Sequence, residues 1–212
     1  MRIAVELNNI VRDCNTQALK YYIKEYDPRF DDTDIDLDCT DLLEKLPFKG
    51  KAQRKTFKEI DYPYELFGCA RTMSMHLHVN VSDWLEYNPE IELLYFTTNE
   101  SDLMTQSTYF FLSKGSRTKT MKFLDNPEDI WQDCDVAVTI NKDVVNSKPD
   151  NKKVVVIERS DNGKLQKKAD LVYPDLEALI ADKNFKEKLT VNHKTIPFLT
   201  KLKYKIKDLW RK

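Results

Sequence analysis

The chain has 212 residues, 41% of them hydrophobic, which suits one main α/β domain with an insertion better than two independent domains. Its 34 basic and 35 acidic residues leave a formal net charge of −1, which argues against wholesale coating of nucleic acid and confines any electrostatic role to local segregation of charge. No apolar run approaches the length of a membrane span, the N-terminus enters a strand without a basic leader, and Cys14, Cys39, Cys69 and Cys134 form no CxxC pair, so a soluble, non-secreted protein with reduced thiols is expected.

Arg2 to Leu7 form a short apolar run that opens into a polar turn at Asn8 and Asn9, the pattern of a buried parallel strand. A helix is predicted from Cys14 to Tyr26, with Ala18, Leu19, Tyr22, Ile23 and Tyr26 on one stripe and Asp27-Pro28 ending it. Residues 27–82 break the pattern, with an acidic stretch followed by mixed sequence and no strong strand. Within that stretch Asp32, Asp34, Asp36 and Asp38 alternate like the start of a calcium loop, but Leu37 and Leu43 stand where such a loop needs Gly and Glu. His76 and His78 would share one face if they lay on a strand; no third ligand is near, so a surface pair is the favoured reading.

From Val81 the alternation resumes. VSDWLEYN reads as a helix, IELLYFTT as a strand, ESDLMTQSTYFFLSKG as a helix and TKTMKFLD as a strand. PEDIWQDC then reads as a short helix, DVAVTIN as a strand, KDVVNSK as a helical turn, KKVVVIERS as a strand and YPDLEALIADKNF as a helix. Strands alternating with helices predict right-handed parallel crossovers, hence an α/β three-layer sandwich with a mostly parallel central sheet.

These segments resemble the haloacid dehalogenase-like (HAD) superfamily over about residues 1–30 and 82–182. In that superfamily the first turn reads hydrophobic run, Asp, any residue, Asp, Gly, with the first Asp attacking phosphorus and the second handling the proton. Here Glu6, Asn8 and Asn9 stand at those places. Thr97 and Thr98 fall at the strand end where the family binds phosphate through a Ser or Thr. Thr139, Ile140 and Asn141 fall where its acids hold magnesium, Asp143 comes two residues later, and Lys114, Lys119 and Lys122 are all candidates for its lysine. The resemblance further implies that residues 27–82 form a cap-like insertion.

The substitutions point away from catalysis. A nucleophile must sit about 3 to 3.5 Å from phosphorus in line with the leaving group, and Glu6 carries one methylene more than Asp. Asn8 cannot act as a general acid, and magnesium requires hard oxygen donors, usually with one or two carboxylates. The bland reading is that Glu6 and Asn8 cap the neighbouring helix. The expectation is a HAD-like pseudoenzyme without a cofactor, used as a structural or interaction module. The alternative is a magnesium-dependent phosphatase or nucleotidase with a displaced acid constellation.

Residues 183–212 form a basic extension to the domain of residues 1–182: ten Lys or Arg oppose Glu187 and Asp208, a balance of +8 that leaves −9 for the rest. Phe198, Leu199, Leu202, Ile206, Leu209 and Trp210 recur at helical spacing, with Thr195 as a cap and Pro197 near the first turn; KLKYKIK also alternates like a strand. Phe198, Leu202, Ile206 and Trp210, with Lys201, Lys203, Lys205 and Lys207, are therefore the candidate partner-binding residues. The partner would be a protein in an oligomeric assembly, with nucleic acid or an anionic surface also open. The Lys-, Asn-, Asp- and Tyr-rich usage with four Gly resembles proteins of AT-rich bacteriophages, including crAss-like phages. That resemblance implies a ring or adaptor component of a virion, found in host cytoplasm and virion.

Overall fold

The computed structural model describes residues 1–116 and 120–190. Six strands, β1 (Arg2–Glu6), β2 (Glu92–Thr98), β3 (Met121–Leu124), β4 (Val136–Thr139), β5 (Lys153–Ile157) and β6 (Leu171–Tyr173), form one sheet in the order β3-β2-β1-β4-β5-β6. Each neighbouring pair is parallel. The winding runs outward from β1 through β2 and β3, then returns to β4 on the other side of β1, so the mouth of β1 is a topological switch point.

The side-chain period of two divides the strands between two cores. Ile3, Val5, Tyr95, Val138 and Ile157 face a core closed by α3 (Leu77–Tyr87) and α7 (Leu176–Ala181). Ala4, Phe96, Ala137 and Val156 face the opposite core, closed by a 3-10 turn at Pro127–Gln132 and by α5 (Lys142–Asn146). Sheet side chains buried on both faces explain why these strands read as continuous apolar runs. Each fully buried Val, Ile or Phe contributes about 1.5–3 kcal/mol.

A third core lies outside the sheet. It joins α1 (Cys14–Glu25) and α4 (Asp102–Ser113) to the inserted residues: Ala18, Tyr22 and Met104 pack with Leu42, Phe57, Leu66 and Phe67. The insertion itself consists of a 3-10 turn at Leu42–Glu44, α2 (Lys51–Thr56) and two π-turns, Phe57–Asp61 and Tyr64–Gly68, separated by Pro63. The remaining helices are α6 (Gly163–Gln166) and α8 (Phe185–Thr190).

Several expectations need correction in detail. Helix α3 begins at Leu77, four residues before Val81, so the two histidines do not lie on a strand. His76 is the exposed N-cap, and His78 enters the first turn and packs on Phe111, with ring centroids 5.6 Å apart. The last predicted helix, residues 173–185, is shorter, α7 ending at Ala181: Asp182 adopts extended backbone and its carboxylate accepts from the Asn184 N–H, and a separate helix, α8, starts at Phe185. Leu171–Tyr173 adds a sixth strand too short for its own periodicity signal. The acids of the 32–38 stretch tie turns together, with Asp36 accepting from the Asp38 N–H and from Ser160. All four cysteines are unpaired, and burial pushes the Cys14 thiol up to about 11.

Candidate active site

The register pairs Val5 with Val138, which sets Glu6 beside Thr139 on the same face of the sheet. The Glu6 side chain turns into that face, where it is 7% exposed. Its Oε2 accepts from the Thr139 hydroxyl at 2.5 Å and from the Ile140 N–H at 3.0 Å. Burial raises the Glu6 carboxyl above its ordinary value, against the three hydrogen bonds that favour the ionised form.

Asn8 and Asn9 hold the turn. Asn8 Oδ1 accepts from Arg12 Nε at 2.6 Å. Asn9 sits in the left-handed region at φ 55°, which Asn tolerates through local hydrogen bonding. Its Oδ1 accepts from the Cys14 and Asn15 N–H groups at 3.0 and 3.1 Å, and its amide donates to Asn15 Oδ1 and to the Thr40 carbonyl. The true N-cap of α1 is Asp13, which accepts from the Thr16 N–H. Glu6 and Asn8 therefore do not cap the helix as the bland reading held; Asn9, with Asp13, satisfies the first-turn donors.

Beneath the turn lies a group that sequence reasoning missed. Arg12 is fully buried and donates to Glu100 Oε1 at 2.5 Å and to the Thr108 hydroxyl at 2.6 Å, while Thr108 donates to Glu100 Oε2 at 2.8 Å. Its guanidinium stacks over Phe67, 4.9 Å from the ring centroid. Arg12 follows β1 and Glu100 follows β2, so two charges just past the ends of adjacent parallel strands were the available signal. A second buried arginine, Arg159 after β5, donates to the Asn9 carbonyl and to the Glu158 carbonyl. The insertion closes the same end of the sheet, with Asp38 3.6 Å from Arg159 and the Thr40 N–H bonded to Asp161.

The other expected positions are dispersed. Thr97 is 1% exposed and its hydroxyl is without a partner, as is the buried Ser101 hydroxyl at the N-cap of α4. Thr98 accepts weakly from the Asn141 amide at 3.4 Å. Asn141 caps α5 by accepting from the Asp143 N–H, and Asp143 is exposed. Lys114 donates to the Gly68 carbonyl and Lys122 pairs with Asp133 at 3.0 Å, so each is engaged away from Glu6. Lys119 and every candidate in the basic extension, Phe198, Lys201, Leu202, Lys203, Lys205, Ile206, Lys207 and Trp210, lie outside the described residues.

These residues do not fit a magnesium ion. Two of the three side chains at the expected positions are neutral amides, and each already serves the backbone or a buried arginine: Asn8 Oδ1 accepts from Arg12 and Asn141 Oδ1 from the Asp143 N–H, while Glu6 Oε2 accepts from Thr139 and Ile140. A buried carboxyl with a raised pKa is also a poor ligand for a hard cation. Among the described residues no three His, Cys, Asp or Glu side chains gather into a metal-binding group.

The fold is an α/β sandwich on a six-stranded parallel sheet, with amides and a buried carboxyl in and beside the turn after β1. Among solved structures the chain is similar to a protein from Burkholderia xenovorans LB400 assigned as a haloacid dehalogenase-like hydrolase, with a TM-score of 0.53, 12% identity, and coverage of 90% of this chain and 98% of that one. At that identity the likeness shows the fold alone. No family model and no curated protein matches the sequence. Among the described residues no helix is long and apolar enough to cross a membrane.

Proposed function

We propose that this chain is a non-catalytic HAD-like protein that serves as a structural or interaction module, with protein partners engaged through its basic C-terminal extension. The observation that carries this reading is the Glu6 carboxyl, turned into the sheet with Oε2 held by Thr139 and Ile140, where a phosphoryl-transfer enzyme needs an exposed in-line carboxylate. Residue usage like that of AT-rich bacteriophage proteins favours a ring or adaptor role in a virion, without a cofactor, in host cytoplasm and virion.

The second reading, a magnesium-dependent phosphatase or nucleotidase, draws on the unpaired Thr97 hydroxyl buried at the end of β2. The two separate in one assay. The purified full-length chain, given magnesium with p-nitrophenyl phosphate and a panel of nucleotides, should hydrolyse none above a buffer control. Turnover that disappears in Glu6→Gln overturns the proposal. Glu6→Asp combined with Asn8→Asp should gain no activity, because a carboxylate at position 8 would pair with Arg12.

A further inference from the structure

Helix α4 buries one side, Met104 against the insertion and Phe111 against the sheet, and turns the other to solvent. Leu103, Gln106, Tyr109, Phe110 and Ser113 form that outer face; at 3.6 residues per turn they share one arc of about 120°. Tyr109 is 57% exposed, Leu103 47% and Phe110 41%. Rings from two other elements widen the face: the half-exposed Tyr64 lies 5.0 Å from Phe110, and Phe123 of β3 lies 5.3 Å from Tyr109, centroid to centroid.

Charge is distributed unusually along this helix. Although 33% of the chain is charged, the segment from Leu103 to Ser113 contains no Asp, Glu, Lys or Arg. The charges stand at its two ends with opposite sign, Asp102 in the first turn and Lys114 just past the last. Lys114 uses one N–H on the Gly68 carbonyl and lies over the Phe110 ring, which leaves two donors for a carboxylate.

These features select the occupant. An aromatic, charge-depleted centre with a charged rim is the composition of a protein–protein interface, whereas nucleic acid or an anionic lipid surface would need cations across the face. The opposite ends make the face complementary to itself. A two-fold axis near its middle sets α4 antiparallel to the same helix of a second copy, brings each Asp102 end to a Lys114 end, and aligns the two helix dipoles favourably. A parallel pair would set like charges together. Tyr64, Leu103, Tyr109 and Phe110 leave roughly 400 Å² uncovered, taking about 200 Å² for a whole large side chain. With Asp102, Gln106, Ser113 and Lys114 around them, the face approaches the ~800 Å² per partner of a standard interface.

We propose that the outer face of α4 is a homodimer interface, in which two copies pack this helix antiparallel about a two-fold axis close to Tyr109. The surface involves neither the turn that holds Glu6 nor residues 183–212, so the hydrolysis assay and the following test fail independently.

The test is sedimentation equilibrium of the full-length chain from micromolar to millimolar concentration. A monomer–dimer equilibrium is expected. Gln106→Glu, which puts a charge at an exposed position in mid-face, should weaken it about tenfold or more. Asp102→Lys and Lys114→Asp should each weaken it about fivefold or more by opposing like charges. An equimolar mixture of those two variants should recover the parent affinity, because every end contact then joins opposite charges. All three changes fall on exposed side chains, and their far-UV circular dichroism should match the parent. A monomer throughout, an assembly of any order unmoved by the three variants, or a mixture no tighter than its components would each overturn the proposal.

Discussion

Replacing Arg12 by Met tests the account of the turn most directly. The Arg12 and Glu100 side chains are wholly buried and their closest atoms are 2.5 Å apart. At an effective dielectric near 20 the attraction is about 6–7 kcal/mol, roughly matched by the several kcal/mol that each ion loses on leaving water. The pair as a whole therefore adds little net stability. Removing only the arginine leaves Glu100 buried with a single Thr108 bond and strips Asn8 Oδ1 of its donor. The expected cost of Arg12→Met is about 4 kcal/mol, most of it the uncompensated carboxylate and about 1 kcal/mol the lost amide contact. Adding Glu100→Gln removes the stranded charge, so the double variant should lie within about 2 kcal/mol of the parent, less destabilised than Arg12→Met alone. Urea unfolding of full-length protein followed by far-UV circular dichroism measures both. A single-variant cost under about 1 kcal/mol, or a double variant as damaged as the sum of its parts, would refute the claim that the two charges are a buried, mutually dependent pair.

Two other outcomes follow from the same geometry. Glu6 has a carboxyl held above its ordinary value of 4.5 by burial, so the folded chain keeps a proton that the unfolded chain gives up. Its contribution to stability is complete below that value and declines as pH rises toward the folded one; Glu6→Gln should therefore gain relative to the parent as pH rises above 4.5 in thermal melts. A flat or falling difference would mean the carboxylate is ionised in the fold. Asn9→Gly keeps the φ of 55° accessible but deletes the side-chain bonds to Cys14, Asn15 and Thr40, at a cost of about 2–4 kcal/mol. Asn9→Ala should cost about 1 kcal/mol more than Gly through left-handed strain, and an Ala variant as stable as Gly would show that the backbone conformation is not limiting.

The sequence by itself determined the sheet and most of its helices. Val154 to Ile157, Leu93 to Phe96 and Val136 to Val138 are runs that bury on both faces, and α1 and α4 carry apolar stripes at helical spacing, so local pattern sufficed. It also located the end of β1 at Glu6 and the turns that hold Asn8 and Asn141 after β1 and β4, because the mouth of a parallel strand is set by where the apolar run stops. What those residues touch was a tertiary matter. Glu6 meets Thr139 across 133 positions, Arg12 meets Glu100 across 88, and Arg159 reaches Asn9 across 150. Partnerships at such separations depend on strand order and register, which no local periodicity encodes. The short elements were hidden for the opposite reason: β6 and the two π-turns are too brief to establish a period, and neighbouring chain, not their own composition, holds them in place.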